Sequence, residues 1–240
     1  MKCNDDVVLI PFTRVFIYLP KTILMYDLPY YKEKDPQVIK EFIDQHPFAF
    51  IAGCDADNKP VATQIPVFIE EHDGRKILRG HIMKGMDHHI AFLHNPNVLV
   101  VFTGHHTYVS ATWYSTPNIP STWNYMSVHA KGIIRFLDDD ALISVLRKTT
   151  LHFENYNQES STYLDNIPAE MVQRLMKQIV AFEIEVLDIN HVFKLSQDRD
   201  QQSHHNIKQK LKEQGEEGKV IAAEMEKRTD ELFPLPKRET

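Results

Sequence analysis

The chain has 240 residues, 42% of them apolar and 25% charged, with a formal net charge of −6. That is enough apolar material for one large or two small cores, and it excludes a disordered or fibrous chain. The acidic balance repels polyanions, so nucleic-acid binding would require a local basic patch, and none is evident. The two cysteines, Cys3 and Cys54, form no CxxC pair, which argues against a metal knuckle or redox dithiol and points to a reducing compartment, the cytoplasm.

An apolar stretch spans Val7 to Leu24, but Pro11, Arg14, Pro20 and Lys21 interrupt it. Asp5 and Asp6 stand where a signal peptide carries positive charge. Neither an export signal nor a membrane span is predicted. Residues 1–24 differ from the rest, and Met25 is a candidate true start with the preceding segment an extension.

A first helix is predicted over Pro36 to Gln45, with Asp35 as its N-cap, Pro36 at its first position, and Val38, Ile39, Phe42 and Ile43 at helical spacing. Phe48 to Cys54, Val61 to Glu70 and Ile77 to Met83 are strand-like runs separated by turn-forming residues, an antiparallel meander. A short helix follows Lys84-Gly85, and Asn95-Pro96 leads into a long strand from Asn97 to Trp113. A second long strand runs from Asn124 to Leu137. Long strands with few helices favour closure into a barrel, which removes exposed edges.

Asp138 to Asn155 is predicted to be a helix whose three leading aspartates suit its positive end, and Pro168 to Val180 another. Alternation of Phe182, Ile184 and Val186 with Glu183 and Glu185 marks one more half-buried strand. From Gln201 the chain turns hydrophilic, and Gly215 and Gly218 break a weak helical pattern, so the tail, residues 201–240, reads as peripheral.

The tract GHIMKGMDHHIAFLHNPN carries the strongest chemical signal. It places the Lys84 ammonium beside a helix start, where unpaired backbone N–H groups and a partial positive charge suit a phosphate. The alternative, a solvated Lys84 with Asp87 as a simple helix cap, stays open on these residues alone.

Other chemistries find less support. The adjacent pairs His88-His89, His105-His106 and His204-His205 point in different directions on a helix or strand and make poor joint metal ligands. No GxSxG elbow, Walker loop or GxGxxG is present. Tyr108, Trp113 and Tyr114 lie before a proline-bearing loop, and Trp123 and Tyr125 after it. Together they suggest either a wall for a planar ligand or a subunit interface.

The ordered motifs HPFAFI, ATQIPVFIE, GHIMKG, NPNVLVVFTGHHTYVSATWY, TWNYMSVHAKG and FKLSQDR, spread from Met25 to Arg199, resemble those of the PaiB-type FMN-binding negative transcriptional regulators. The resemblance implies a mainly β fold, a six-stranded antiparallel split β-barrel over residues 25–200, that works as a homodimer with FMN between subunits. It assigns the phosphate to Lys84 and the flavin lining to Ala62, Thr63, Gln64 and Ile65. Further contacts fall on His81, Ile82 and Met83, and on Trp123, Asn124, Lys194 and Gln197 near the interface.

Two departures stand out: Thr63-Gln64 replaces a usual Thr-His, and Met83-Lys84 a usual Ala-Arg. Lysine neutralises phosphate without arginine's bidentate fork. The resemblance implies repression through DNA. A flavin-dependent oxidoreductase is the alternative, as is a flavin- or haem-binding module without turnover. The catalytic residues of such an enzyme have no signature here, since the cofactor carries the chemistry.

Overall fold

A computed structural model of the chain describes residues 28–234. The apolar stretch of residues 7–24 and the candidate start at Met25 lie outside the described residues.

Six strands close into a barrel in the order β1-β2-β3-β6-β5-β4, every neighbouring pair antiparallel. They are β1 (Phe48–Cys54), β2 (Pro60–His72), β3 (Arg75–Met83), β4 (Asn97–Val109), β5 (Thr122–Phe136) and β6 (Ile179–Lys194). The seam is β1 against β4, paired only from Phe50 to Ala52. Alternate residues point inward: Ala49 and Ile51, Val67 and Ile69, Leu78 and Ile82, Val100 and Phe102, Val128 and Ala130, Phe182 and Ile184 are all buried. The period of two along each strand therefore builds the core directly.

Seven helices lie outside the barrel: α1 (Pro36–Gln45), α2 (Asp87–His94), α3 (Asp139–Phe153), α4 (Ala169–Met176), α5 (Gln201–Lys212), α6 (Gly215–Lys227) and α7 (Thr229–Leu232). Asp35 caps α1 by accepting from Gln37 N at 2.8 Å, and Asp138 caps α3 by accepting from Ala141 N at 2.9 Å. The Asp35 cap agrees with the sequence reading, and Asp138, the first of the three aspartates placed at the positive end of α3, turns out to be its cap. Among the described residues no helix is long and apolar enough to cross a membrane.

Three boundaries differ from those expected. The strand predicted to reach Trp113 stops at Val109, because Ser110 accepts from Thr112 N and starts a 3-10 turn, Ala111–Trp113. The helix predicted to reach Val180 ends at Met176, because Ile179 and Val180 pair with Met83 and Ile82 at the start of β6. Asp87 is the first residue of α2 rather than its cap; Met86 holds the cap position and offers no side-chain acceptor.

The largest correction concerns the tail, which is part of the core. Ile207, Leu211, Ile221, Ala222 and Met225 are fully buried and join the barrel's main apolar cluster. Polar contacts fix the placement: His105 Nδ1 meets Glu217 Oε2 at 2.7 Å, and Thr107 Oγ1 donates to Gln214 Oε1 at 3.3 Å. Gly218 does not break the helix. A Cβ there would lie 2.4 Å from the Leu211 carbonyl, so glycine lets α6 approach α5. The sequence hid this because α5 and α6 bury a narrow stripe and keep their remaining faces charged.

Leu211→Ala and Ile221→Ala are each expected to lower the unfolding free energy by about 2–5 kcal/mol in urea denaturation; losses below about 0.5 kcal/mol would restore a peripheral tail. Acid should loosen the same region. His204 is 1% exposed, and burial, aided by the nearby Lys208 ammonium, pushes its pKa down to about 4. The unfolded imidazole takes its proton near 6.5 and the folded one does not, so this contribution is intact above pH 6.5 and is lost as pH falls towards 4. Replacing His204 by glutamine should flatten that part of the stability profile.

Candidate functional site

The site grows from the register of β1, β2 and β3. Directly opposed residues in an antiparallel pair share a face. Phe50 opposes Gln64, Ala52 opposes Ala62 and Phe48 opposes Pro66, so these six look outward. Thr63 and Ile65 oppose the inward Ile51 and Ala49, and therefore turn their side chains to the barrel interior. Of the four expected β2 residues, only Ala62 and Gln64 present side chains to the outer face. Phe48 and Phe50, 55% and 43% exposed, line that face beside them and were missed, although the alternation in HPFAFI carried the signal.

Further along the barrel, His81 and Met83 of β3 point outward, whereas Ile82 is 2% exposed and belongs to the core. Lys84 follows the strand end, where its backbone N–H donates to Gln178 O at 2.8 Å. Its ammonium makes no ion pair among the described residues, as no described carboxylate lies within reach. Gly85 then turns the chain at φ +79°, a left-handed conformation that glycine adopts without strain. Its N–H donates to His89 Nδ1 at 3.1 Å.

Met86 offers no side-chain acceptor to α2, and Asp87 takes His88 N at 2.7 Å. The His89 amide of the first turn has no partner among the described residues, while the Asp87 amide is held by its own carboxylate. Helix terminus, free ammonium and outward strand face thus meet in one place, the arrangement that favours an anion. The electrostatics agree. Burial lowers the His81 pKa, while burial and then the charges of His88 and Lys84 lower that of His89. Both imidazoles stay neutral near pH 7 in a locally cationic setting.

The other four expected residues lie elsewhere. β6 pairs Ile179 with Met83 at one end and Lys194 with Tyr125 at the other. Its sixteen residues span on the order of 50 Å along the strand at about 3.3 Å per residue. Lys194 is half-buried and donates to Thr122 Oγ1 at 2.5 Å. Gln197 braces its own turn, accepting from Leu195 N at 2.6 Å and donating to Phe193 O at 2.5 Å. Asn124 is fully buried under α6: Ser196 Oγ donates to its Oδ1 at 2.9 Å, and its Nδ2 meets Met225 Sδ at 3.5 Å. Trp123 is the exposed one, 52% accessible, with its ring edge-on to Tyr108 at 5.9 Å. Within one chain these four do not join the Lys84 group.

Among the described residues no three His, Cys, Asp or Glu side chains converge as a metal site would require. His105 and His204, from two of the histidine pairs, are instead tied into the contacts of the tail.

A closed barrel of six antiparallel strands with helices outside it places the fold in the split-barrel class. The chain belongs to the PaiB-type FMN-binding family: residues 25–188 match the family described as "Putative FMN-binding domain", and the cofactor this membership assigns is FMN. It is 32% identical over 205 residues to "Protease synthase and sporulation protein PAI 2" of Bacillus subtilis strain 168, covering 84% of this chain and 97% of that protein. Among solved structures, a conserved hypothetical protein from Mycobacterium tuberculosis matches 70% of this chain and 89% of its own, at 13% identity and a TM-score of 0.49. The FAD and heme binding protein of Mycobacterium smegmatis matches 68% and 72%, at 16% identity and a TM-score of 0.45.

Lys84→Ala removes one of the charges that disfavour the His89 imidazolium, so the NMR-monitored His89 titration midpoint should move up. An unmoved midpoint would place Lys84 away from the imidazole.

Proposed function

We propose that this protein is a cytoplasmic homodimer that holds FMN on the outer face of β2 and β3 and acts as a negative transcriptional regulator of the PaiB type. The observation that carries the flavin placement is the Lys84 ammonium, which makes no ion pair among the described residues, beside a helix start whose cap residue has no acceptor. Lys84 and the first turn of α2 would neutralise the phosphate. Met83, Ala62 and Gln64, with Phe48 and Phe50 alongside, would offer the ring system an apolar wall and one amide. Thr63, Ile65, His81 and Ile82 would contribute backbone contacts or shape the groove from within. Bound FMN supplies a redox centre that accepts one or two electrons.

Two features support the homodimer. Phe48, Phe50, Tyr108 and Trp123 form an outward apolar set, each more than 40% exposed, too aromatic for a surface left to water. The separation of Trp123 and Lys194 from Lys84 along β6 also means that a second copy is the source from which such residues would reach a flavin groove. Asn124 and Gln197 would then act as internal braces of that region, since their side chains are already engaged.

Repression through DNA rests on the family resemblance. A second reading, a flavin-dependent oxidoreductase, is favoured by the charge pattern of α5 and α6, where Lys210, Lys219 and Lys227 are each paired with a glutamate three residues away and build no basic stripe.

Lys84→Ala is expected to weaken FMN binding by about 1–3 kcal/mol in fluorescence titration, through loss of one charge-assisted contact; an unchanged dissociation constant removes Lys84 from the site. Light scattering should return twice the chain mass, and Phe50→Asp should shift it towards the monomer. Retention of promoter DNA that is sequence-selective at physiological salt supports the regulator. Reduction of bound flavin by a nicotinamide nucleotide without such retention supports the enzyme.

A further inference from the structure

A second concave site lies on the outer barrel wall, under the first half of α3. It is a cleft of about 300 Å³ lined by Phe68, Leu137 and Val145 on its apolar side and by Glu70, Arg79, Lys148 and Glu183 on its polar side. It shares none of its lining with the Lys84 groove. Local alternation concealed it, since Glu183 reads as the solvent-facing member of an alternating strand, whereas it is 4% exposed.

Both oxygens of Glu183 are occupied: Oε2 accepts from Arg79 Nη2 at 2.9 Å and Nε at 3.2 Å, and Oε1 accepts from Arg135. Both oxygens of Glu70 are occupied too, Oε1 by Lys148 Nζ at 2.9 Å and Oε2 by Arg79 Nη1 at 3.0 Å and His72 Nε2 at 3.2 Å. Three permanent cations thus surround two carboxylates. Burial pushes both carboxyls up, but the Lys148, Arg79 and Arg135 contacts outweigh it and hold them below their ordinary values. Each carboxylate oxygen already accepts at least one charge-assisted bond.

What remains unused is donor capacity. Lys148 spends one of its three ammonium hydrogens on Glu70, and its Nζ lies 5.3 Å from the Phe68 ring centre, facing the apolar wall. Phe68 is backed by His152 and Phe153, with ring centres at 5.1 and 6.4 Å, so the wall is aromatic and fixed. Two cations and two carboxylates balance within the lining, and the free ammonium hydrogens of Lys148 beside an aromatic wall suit a ligand with an acceptor head and a flat apolar body.

We propose that the cleft between α3 and strands β2, β3 and β6 binds a small organic carboxylate, with the carboxylate on Lys148 and an aromatic or similarly planar body against Phe68 and Val145. The inference does not rest on the flavin reading, and the Lys84 variant separates the two.

The test is calorimetric titration of the full-length protein with benzoate, benzyl alcohol and benzylamine. Benzoate should bind one to one, with a dissociation constant on the order of 0.1–10 mM for a ligand of so few atoms, and at least tenfold more tightly than the alcohol or the amine. Lys148→Gln should remove that preference while leaving the thermal midpoint near the parent value, Lys148→Arg should keep most of it, and Lys84→Ala should leave it untouched. Equal affinity for the alcohol, tighter binding of the amine, or no binding of any of the three would overturn the proposal. So would loss of benzoate binding in Lys84→Ala, which would place the carboxylate in the phosphate groove instead.

Discussion

Closure of six antiparallel strands around one apolar interior is the constraint on which everything else rests. With a period of two, every second residue is committed to the core, and every other one must be covered by a helix, paired with a charge or left for a ligand or partner. The outer face divides along those lines. α3 covers β3 and β6 through Leu142, Val145 and Ala181, and α6 lies along β4. Phe48 and Phe50 of β1, Gln64 of β2 and Trp123 of β5 stand exposed on the outside of the barrel.

The two regions differ in how their charges are balanced. At the end of β3, Lys84 has no ion pair among the described residues and stands beside the first turn of α2. Under α3 the positive groups are spent on two glutamates, and only the residue of that balance is available. Charge-assisted bonds to a 4% exposed carboxylate hold the second arrangement rigid, because removing either partner would strand a buried charge.

The tail shows how a hydrophilic sequence can still be structural. α5 and α6 place Ile207, Leu211, Ile221, Ala222 and Met225 against the barrel while their charged residues pair with one another in solvent. The polar contacts of Asn124 with Ser196 and Met225 lie beneath them, so the covering also decides that a polar residue in a strand motif braces the interior rather than facing a ligand.

The residue pattern alone favoured a barrel and placed the meander from β1 to β3, the cap of α1, the acidic start of α3 and the junction of Lys84 with a helix start, because alternation, capping residues and turn residues act over a few neighbours. It could not decide which expected site residues share a face. Thr63 and Ile65 turned inward, and Trp123 and Lys194 fell at the far end of β6 from Lys84, because strand register and the order of strands around a closed barrel are set by pairings tens of residues apart. The burial of Glu183 and of the α5–α6 stripe was likewise decided only by tertiary packing, which brings distant arginines and apolar side chains to positions whose local sequence reads as solvent-exposed.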